Sequence, residues 1–192
     1  MHKNYPKYFI FLDHYNSYYF NHNNINIGII YRNYNSSNRE IELRKIAKAC
    51  REKRYKLYVS NDIKLALKFK SYGIYIPSFN KTAKYMNLEN KNLDILGSAH
   101  NYIEIKNKIS QKCRAIFISP IFPVKKNNNF LNIYKFNLLS LQTKNEVFAL
   151  GGISEKNFNK LKLLKINGFG GISLFKKKPA YKRPAFLKNF FF

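Results

Sequence analysis

Short apolar runs alternate with polar segments of helical spacing along most of the chain. The apolar runs are Tyr8–Leu12, Ile27–Tyr31, Leu57–Ser60, Ile74–Ile76, Asp94–Gly97, Ala115–Ile118, Val147–Leu150 and Gly171–Phe175. Their brevity and their content of Ile, Phe, Tyr and Val suit strands buried on both faces of a parallel sheet. Between them, Ile41, Leu43, Ile46, Ala47 and Cys50 share one helical face, and Ile63–Phe69 reads as a short helix ended by Gly73. Tyr102–Ser110 and the stretch around Phe136–Leu141 read as two more helices, and Ser154 with Glu155 suits the start of another. Ser37 or Asn38 is the candidate cap of the first helix, with Glu40 and Glu42 in its first turn, where the helix dipole favours negative charge.

This alternation builds βα units. Eight strand candidates predict an α/β fold, a compact single-domain (β/α)8 barrel, with a doubly wound open sheet as the alternative. The 192 residues sit at the lower bound of about 200 for such barrels, so the helices must be short. No internal linker divides the chain. Residues 1–192 read as one domain whose last stretch, 176–192, is a basic, aromatic helix or tail.

Composition narrows the class. Hydrophobic residues make up 45%, enough for a packed core, which excludes global disorder. No window of about 18 consecutive apolar residues exists, so no membrane-spanning helix is expected. Asp13 and His14 break the first apolar run, which is too polar for a secretory leader. Cys50 and Cys113 cannot form a disulfide scaffold or a four-ligand zinc site alone, and both read as core. These features predict a cytoplasmic protein.

Thirty-five Lys and Arg against ten Asp and Glu give a net charge of +25. Such a charge suits a nucleic-acid binder. However, the lysines are scattered through a chain also saturated with Asn, Ile, Tyr and Phe, as an AT-rich coding bias produces. Only Lys125–Lys126 and Lys176–Lys178 cluster. A nucleic-acid-associated barrel, stacking bases on the aromatic tail, is therefore the lesser alternative. The tail reads more simply as a last helix with Phe186, Leu187 and Phe190 turned inward. Either way the surface attracts anionic small molecules.

In such barrels the chemistry sits at the C-terminal ends of the strands. Those positions hold Asp13 and His14, Arg32, Asn61 and Asp62, Ser78, Ser98 and His100, Ser119 and Pro120, Gly151 and Gly152, and Gly171 with Ile172 and Ser173. The two glycine clusters follow or surround the seventh and eighth strands, where backbone N–H groups commonly hold phosphate. Asp62 beside Asn61 reads either as a Mg2+ ligand or as the cap of the helix that follows. Of the ten acids only Asp13 and Asp62 fall at strand ends, which excludes paired-carboxylate chemistry of the glycosidase kind. His100 suits acid–base work or the capping of the next helix.

Taken in order, Arg32, Ser60–Asp62, Gly73–Ser78, Leu96–His100, Ser119–Pro123, Ala149–Ile153 with Asn157, and Gly168–Ser173 resemble the thiamine phosphate synthase/TenI family over about Tyr8–Phe175. The resemblance implies a (β/α)8 barrel in thiamine biosynthesis. It implies a transferase that joins hydroxymethylpyrimidine diphosphate to thiazole phosphate and releases pyrophosphate with Mg2+. By the same resemblance Arg32 would hold the diphosphate and Asn61 and Asp62 the pyrimidine diphosphate and Mg2+, while Ser98 matches the serine of the family's S-x-H. Gly151, Gly152 and the backbone of Gly171, Ile172 and Ser173 would hold the thiazole phosphate.

The chain departs from the family pattern at several positions. Ile30 and Tyr34 replace the Gln and Lys of Q-x-R-x-K. Tyr75, Ser78 and Asn80 replace the His, Gln and second Mg2+ aspartate of H-L-G-Q-x-D. The lysine after Phe122–Pro123 is displaced to Lys125 or Lys126. The TenI branch of the family moves a proton on a thiazole carboxylate phosphate without Mg2+. In that branch the residue matching His100 is the acid–base group, so a thiazole tautomerase or a catalytically degenerate phosphate-binding relative is the alternative reading.

Overall fold

The computed structural model describes residues 5–21, 26–34, 36–85, 88, 92–124, 129–172 and 174. Strands β1 (Tyr8–Leu12), β2 (Ile27–Tyr31), β3 (Lys56–Ser60), β4 (Gly73–Ile76), β5 (Asp94–Ala99), β6 (Ala115–Ile118), β7 (Glu146–Leu150) and β8 (Gly168–Gly171) close into a parallel barrel in chain order. The open doubly wound alternative is thereby excluded. Helices α1 (Arg39–Lys53), α2 (Ile63–Lys68), α3 (Tyr102–Ser110) and α4 (Asn132–Ser140) lie between strands, with 3-10 turns at Ser17–Phe20 and Phe158–Leu163. Among the described residues no helix is long and apolar enough to cross a membrane.

The alternation of side chains along β1 shows how the barrel fills. Phe9 and Phe11 point into the barrel with Tyr58, Tyr75, Phe117 and Phe148, while Tyr8, Ile10 and Leu12 face the helices. Inside, Phe117 meets Phe9, Phe11, Tyr75 and Phe148 at ring-centroid distances of 5.0, 5.5, 5.9 and 5.2 Å. Three of these contacts are edge-on, the arrangement that the ring quadrupoles favour. The interior is thus a stack of aromatic rings.

Two expectations need correction. The last strand is Gly168–Gly171 and not Gly171–Phe175, because the glycine-rich segment itself pairs with β1 and β7. Phe169 anchors it, packing edge-on against Tyr8 and Phe158 while its N–H donates to the Lys7 carbonyl at 3.0 Å. Ile172 therefore lies just past the strand, and Ser173 and Phe175 lie outside the described residues. The segment from Ser154 forms a 3-10 turn that begins only at Phe158. There Asn157 bonds back to the Gly152 carbonyl and the Ser154 N–H, which occupies the chain ahead of any α-helical start. The tail with Lys176–Lys178, Phe186, Leu187 and Phe190 also lies outside the described residues.

The loop after β4 is held by an internal lysine. Lys108, on α3, is completely buried, and its ammonium donates to the carbonyls of Pro77 (2.8 Å) and Asn80 (2.7 Å) and to Gln111 Oε1 (2.8 Å). Gln111 Nε2 adds bonds to the Asn80 and Thr82 carbonyls. The stem passes Gly97, where a Cβ would come within 2.8 Å of it. Burial lowers the Lys108 pKa to about 8. Cys50 and Cys113 are free and buried, and burial pushes the Cys113 thiol up to about 12.

Two measurements check this packing. Phe117→Ala should lower the unfolding free energy by about 3–5 kcal/mol in urea denaturation, the usual cost of emptying an aromatic site in a core. Lys108→Met should cost about 1–3 kcal/mol at pH 7 by leaving Pro77 O and Gln111 Oε1 without their donor. Between pH 8 and the ordinary lysine value of 10.5, the unfolded chain holds more protons on this residue than the folded one. Wild-type stability should therefore rise across that window relative to the Met variant, and the gap between them should widen.

Candidate active site at the C-terminal mouth of the barrel

Since all strands run parallel in a closed ring, their C-terminal ends share one rim. Arg32 follows β2 and continues its pairing, its N–H donating to the Leu12 carbonyl at 3.0 Å. Its side chain forks onto Asp13, with Nε to Oδ1 at 2.9 Å and Nη2 to Oδ2 at 3.2 Å. The two side chains are 35% and 46% exposed, so a competing anion can reach this pair. Asn33 Nδ2 donates to the Asp13 carbonyl and fixes the turn.

A chain of polar groups then crosses the rim. Tyr34 Oη meets Ser60 Oγ at 3.0 Å, Ser60 Oγ donates to the Tyr75 carbonyl, and the Tyr75 phenol hydrogen-bonds Ser98. Burial raises the pKa of both tyrosines, so they remain neutral hydrogen-bonding groups. Tyr34 thus stands as an uncharged phenol where the family pattern carries a lysine.

Asn61 adopts φ 59° directly after β3, and its N–H donates to the Tyr75 carbonyl at 2.9 Å. Its Oδ1 accepts from Tyr85 Oη at 2.8 Å and from Asn80 Nδ2. The Asn61 carbonyl end is therefore consumed, and its Nδ2 hydrogens have no acceptor among the described residues. Asn80 is fixed in turn, its Oδ1 accepting from the Thr82 N–H and hydroxyl.

Asp62 caps α2, its Oδ1 accepting the Leu65 N–H at 3.0 Å, so the capping expectation holds. Its Oδ2 accepts from Arg39 Nη1 at 3.2 Å. Arg39 Nη2 also reaches the Ser60 carbonyl, and the guanidinium lies about 6 Å from the ring centroids of Tyr31 and Tyr34. Its Nε is buried without a partner among the described residues.

Ser98 is buried near the end of β5, while His100 just beyond is exposed. His100 Nδ1 lies 2.7 Å from the Ser119 carbonyl, which can only accept. Nδ1 therefore carries the proton, and in the neutral ring Nε2 carries the lone pair. Helix α3 is capped by Asn101, not by the imidazole.

Gly151 and Gly152 have φ 91° and 71°, left-handed backbone that other residues take only with strain. A Cβ on Gly152 would run into the Phe122 carbonyl. Among the described residues, no protein group accepts the N–H of Gly151, Gly152 or Ile172. The pairing of Leu150 with Gly170 sets Gly151 beside Gly171. Free backbone donors therefore gather where β7 and β8 end. Lys125, Lys126 and Ser173 lie outside the described residues. A cavity of about 580 Å3, lined by Arg51, Tyr55, Lys56 and Tyr72 among others, opens at the opposite end of β3 and holds none of these groups.

Reading positions alone found the strand-end residues but missed Arg39 and Tyr85. Arg39 lies in the first turn of a helix and looks like a solvated charge, while Tyr85 reaches Asn61 from a short 3-10 turn in a stretch with no periodic signal.

The sequence model of the family described as thiamine monophosphate synthase matches residues 25–175. A thiamine-phosphate synthase of Prochlorococcus marinus (strain SARG / CCMP1375) is 29% identical over 124 residues, covering 63% of this chain and 36% of that protein. Another, from strain AS9601 of the same species, is 33% identical over 129 residues, covering 64% of this chain and 35% of that protein. The matched part spans only about a third of these relatives. Thiamine phosphate pyrophosphorylase from Pyrococcus furiosus superposes with a TM-score of 0.71 at 16% identity, covering 88% of this chain and 87% of that one. The structure titled native KDPGal gives 0.67 at 14% identity, covering 97% and 90%. At such identities these structures speak for the barrel alone. The family match spans most of the chain and the strand ends just described, and by it the chain belongs to the thiamine monophosphate synthase family.

Proposed function

We propose that the chain is a cytoplasmic transferase of thiamine biosynthesis that joins hydroxymethylpyrimidine diphosphate to thiazole phosphate and releases pyrophosphate. The observation that carries this reading is a pair of donor clusters on one rim. Free N–H donors at Gly151, Gly152 and Ile172 gather at the ends of β7 and β8, and Arg32 with the Asn61 amide lies after β2 and β3. In a ring of eight strands β3 and β7 stand opposite each other. A condensation of two phosphorylated molecules needs such a pair across a shared space.

In the step itself, the bond from the pyrimidine methylene carbon to the diphosphate oxygen breaks, and the electron pair leaves with the oxygen. The thiazole nitrogen then donates its lone pair to that carbon. No proton has to be moved for the bond to form, so the protein's work is positioning and the neutralisation of charge on the leaving group. Arg32 would exchange Asp13 for diphosphate oxygens. Asn61, its carbonyl held by Tyr85 and Asn80, would present its amide hydrogens. The free, buried cysteines suit a reducing compartment.

His100 favours a second reading. Its exposed ring is fixed through Nδ1, with a basic Nε2, which is the arrangement an aromatising proton shift on a thiazole phosphate requires.

The test is formation of thiamine phosphate from the two substrates. Arg32→Ala should lower kcat/KM by about 100-fold or more, as the loss of one oriented charge donor does, while His100→Gln should change it by less than about threefold. Loss of tautomerisation in His100→Gln, with no thiamine phosphate made by the wild type, would instead select the second reading.

A further inference from the structure

The charges around Asp62 do not match a divalent cation. Magnesium binds hard anionic oxygens, mostly one or two carboxylates, in a near-octahedral shell. Among the described residues Asp62 and Asp13 are the strand-end carboxylates here; Asp13 is paired with Arg32, and each Asp62 oxygen already accepts a bond, from the Leu65 N–H and from Arg39. Asn80, at the position of the second aspartate, turns its Nδ2 donor toward Asn61 and commits its oxygen to Thr82. Among the described residues no three His, Cys, Asp or Glu side chains gather as metal ligands. Each of the two carboxylates is thus matched by one guanidinium, and no excess is left for a divalent ion to neutralise.

Arg39 is held where it is. Its side chain is only 15% exposed, bonded to Asp62 and to the Ser60 carbonyl and set against the rings of Tyr31 and Tyr34. Removing it to admit a metal would break both bonds and leave the Ser60 carbonyl without this donor. Its buried Nε–H lacks an acceptor among the described residues. Asn61, next in the chain to Asp62, adds its unpaired amide hydrogens.

We infer that Arg39 is the resident cation of this site, and that the chain binds a diphosphate group through Arg39, Arg32 and the Asn61 amide without a divalent metal. The inference deepens the transferase reading and rests on it for the identity of the ligand. Asp62 then serves to position Arg39 and does not bind a metal.

Calorimetric titration with inorganic pyrophosphate, once in EDTA and once with Mg2+, tests the point on the wild-type protein. Affinity in EDTA should equal or exceed that with Mg2+. Arg39→Gln should weaken binding at least tenfold and Arg39→Lys less. Asp62→Asn keeps an equally good helix cap, and whatever affinity remains in it should be the same in EDTA and with Mg2+. Binding that appears only with Mg2+, no binding in either condition, or an unchanged affinity in Arg39→Gln would each overturn the inference. So would a Mg2+ dependence of wild-type binding that Asp62→Asn abolishes. Thiamine phosphate formation is read separately. A protein that binds pyrophosphate in EDTA through Arg39 yet makes no thiamine phosphate keeps this inference and loses the transferase. One that turns over only with Mg2+ does the reverse.

Discussion

Closure of the sheet, β8 hydrogen-bonding back to β1, is the constraint on which the site depends. The register pairs Tyr8 with Phe169 and Ile10 with Gly171. In an open sheet the glycine turns after β7 and β8 would lie at one edge, far from Arg32. Closure brings them around to the same rim. It also creates an interior that must be filled, because a void there would forfeit contacts on every side. Strands of four to six residues leave little length for that purpose, and six aromatic rings supply the volume. The brevity of the strands and the aromatic core are therefore linked: wide side chains compensate for short layers.

On the rim, charge is arranged in pairs of unequal permanence. Arg32 and Asp13 form a two-pronged pair that stays largely open to water, where such contacts contribute little and exchange easily. Arg39 and Asp62 are more enclosed, and aromatic faces on Tyr31 and Tyr34 restrict the guanidinium further. In the proposed reading, the first pair gives up its partner to a phosphate. The second keeps its partner and remains as fixed charge. Two arginines seven positions apart in the chain thus take different duties because their burial differs.

Much of the barrel was legible in the sequence. Residue alternation along buried parallel strands is overridden by burial on both faces, so β1 and β2 stand out as unbroken apolar runs with matching ends. The glycine-rich β8 was not legible, since Gly168, Gly170 and Gly171 carry little strand propensity and the more strand-like residues follow them. Candidate site residues next to strand ends were also readable, as position alone suffices. Their partners were not. Asn80 looks like the loss of a carboxylate, yet the structure makes it the brace of Asn61. Lys108 looks like one more surface lysine among many, although it stands three residues after the buried Ile105 and on the same helical face. The background of lysines concealed the one whose charge is internal.

That background bears on how the site meets its ligands. A surplus of 25 positive charges acts at long range and raises the local concentration of any anion, with no preference among phosphates. Salt screens it over about 8–10 Å. In the proposed reading, selection comes from groups fixed at contact distance: the left-handed turn at Gly151–Gly152, the amide of Asn61 and the guanidinium of Arg39. Each is oriented by neighbours that are themselves uncharged or paired, so the geometry of the rim does not depend on the surface field. The diffuse charge governs how often a phosphorylated molecule arrives. In the proposed reading, the few braced donors govern whether it stays.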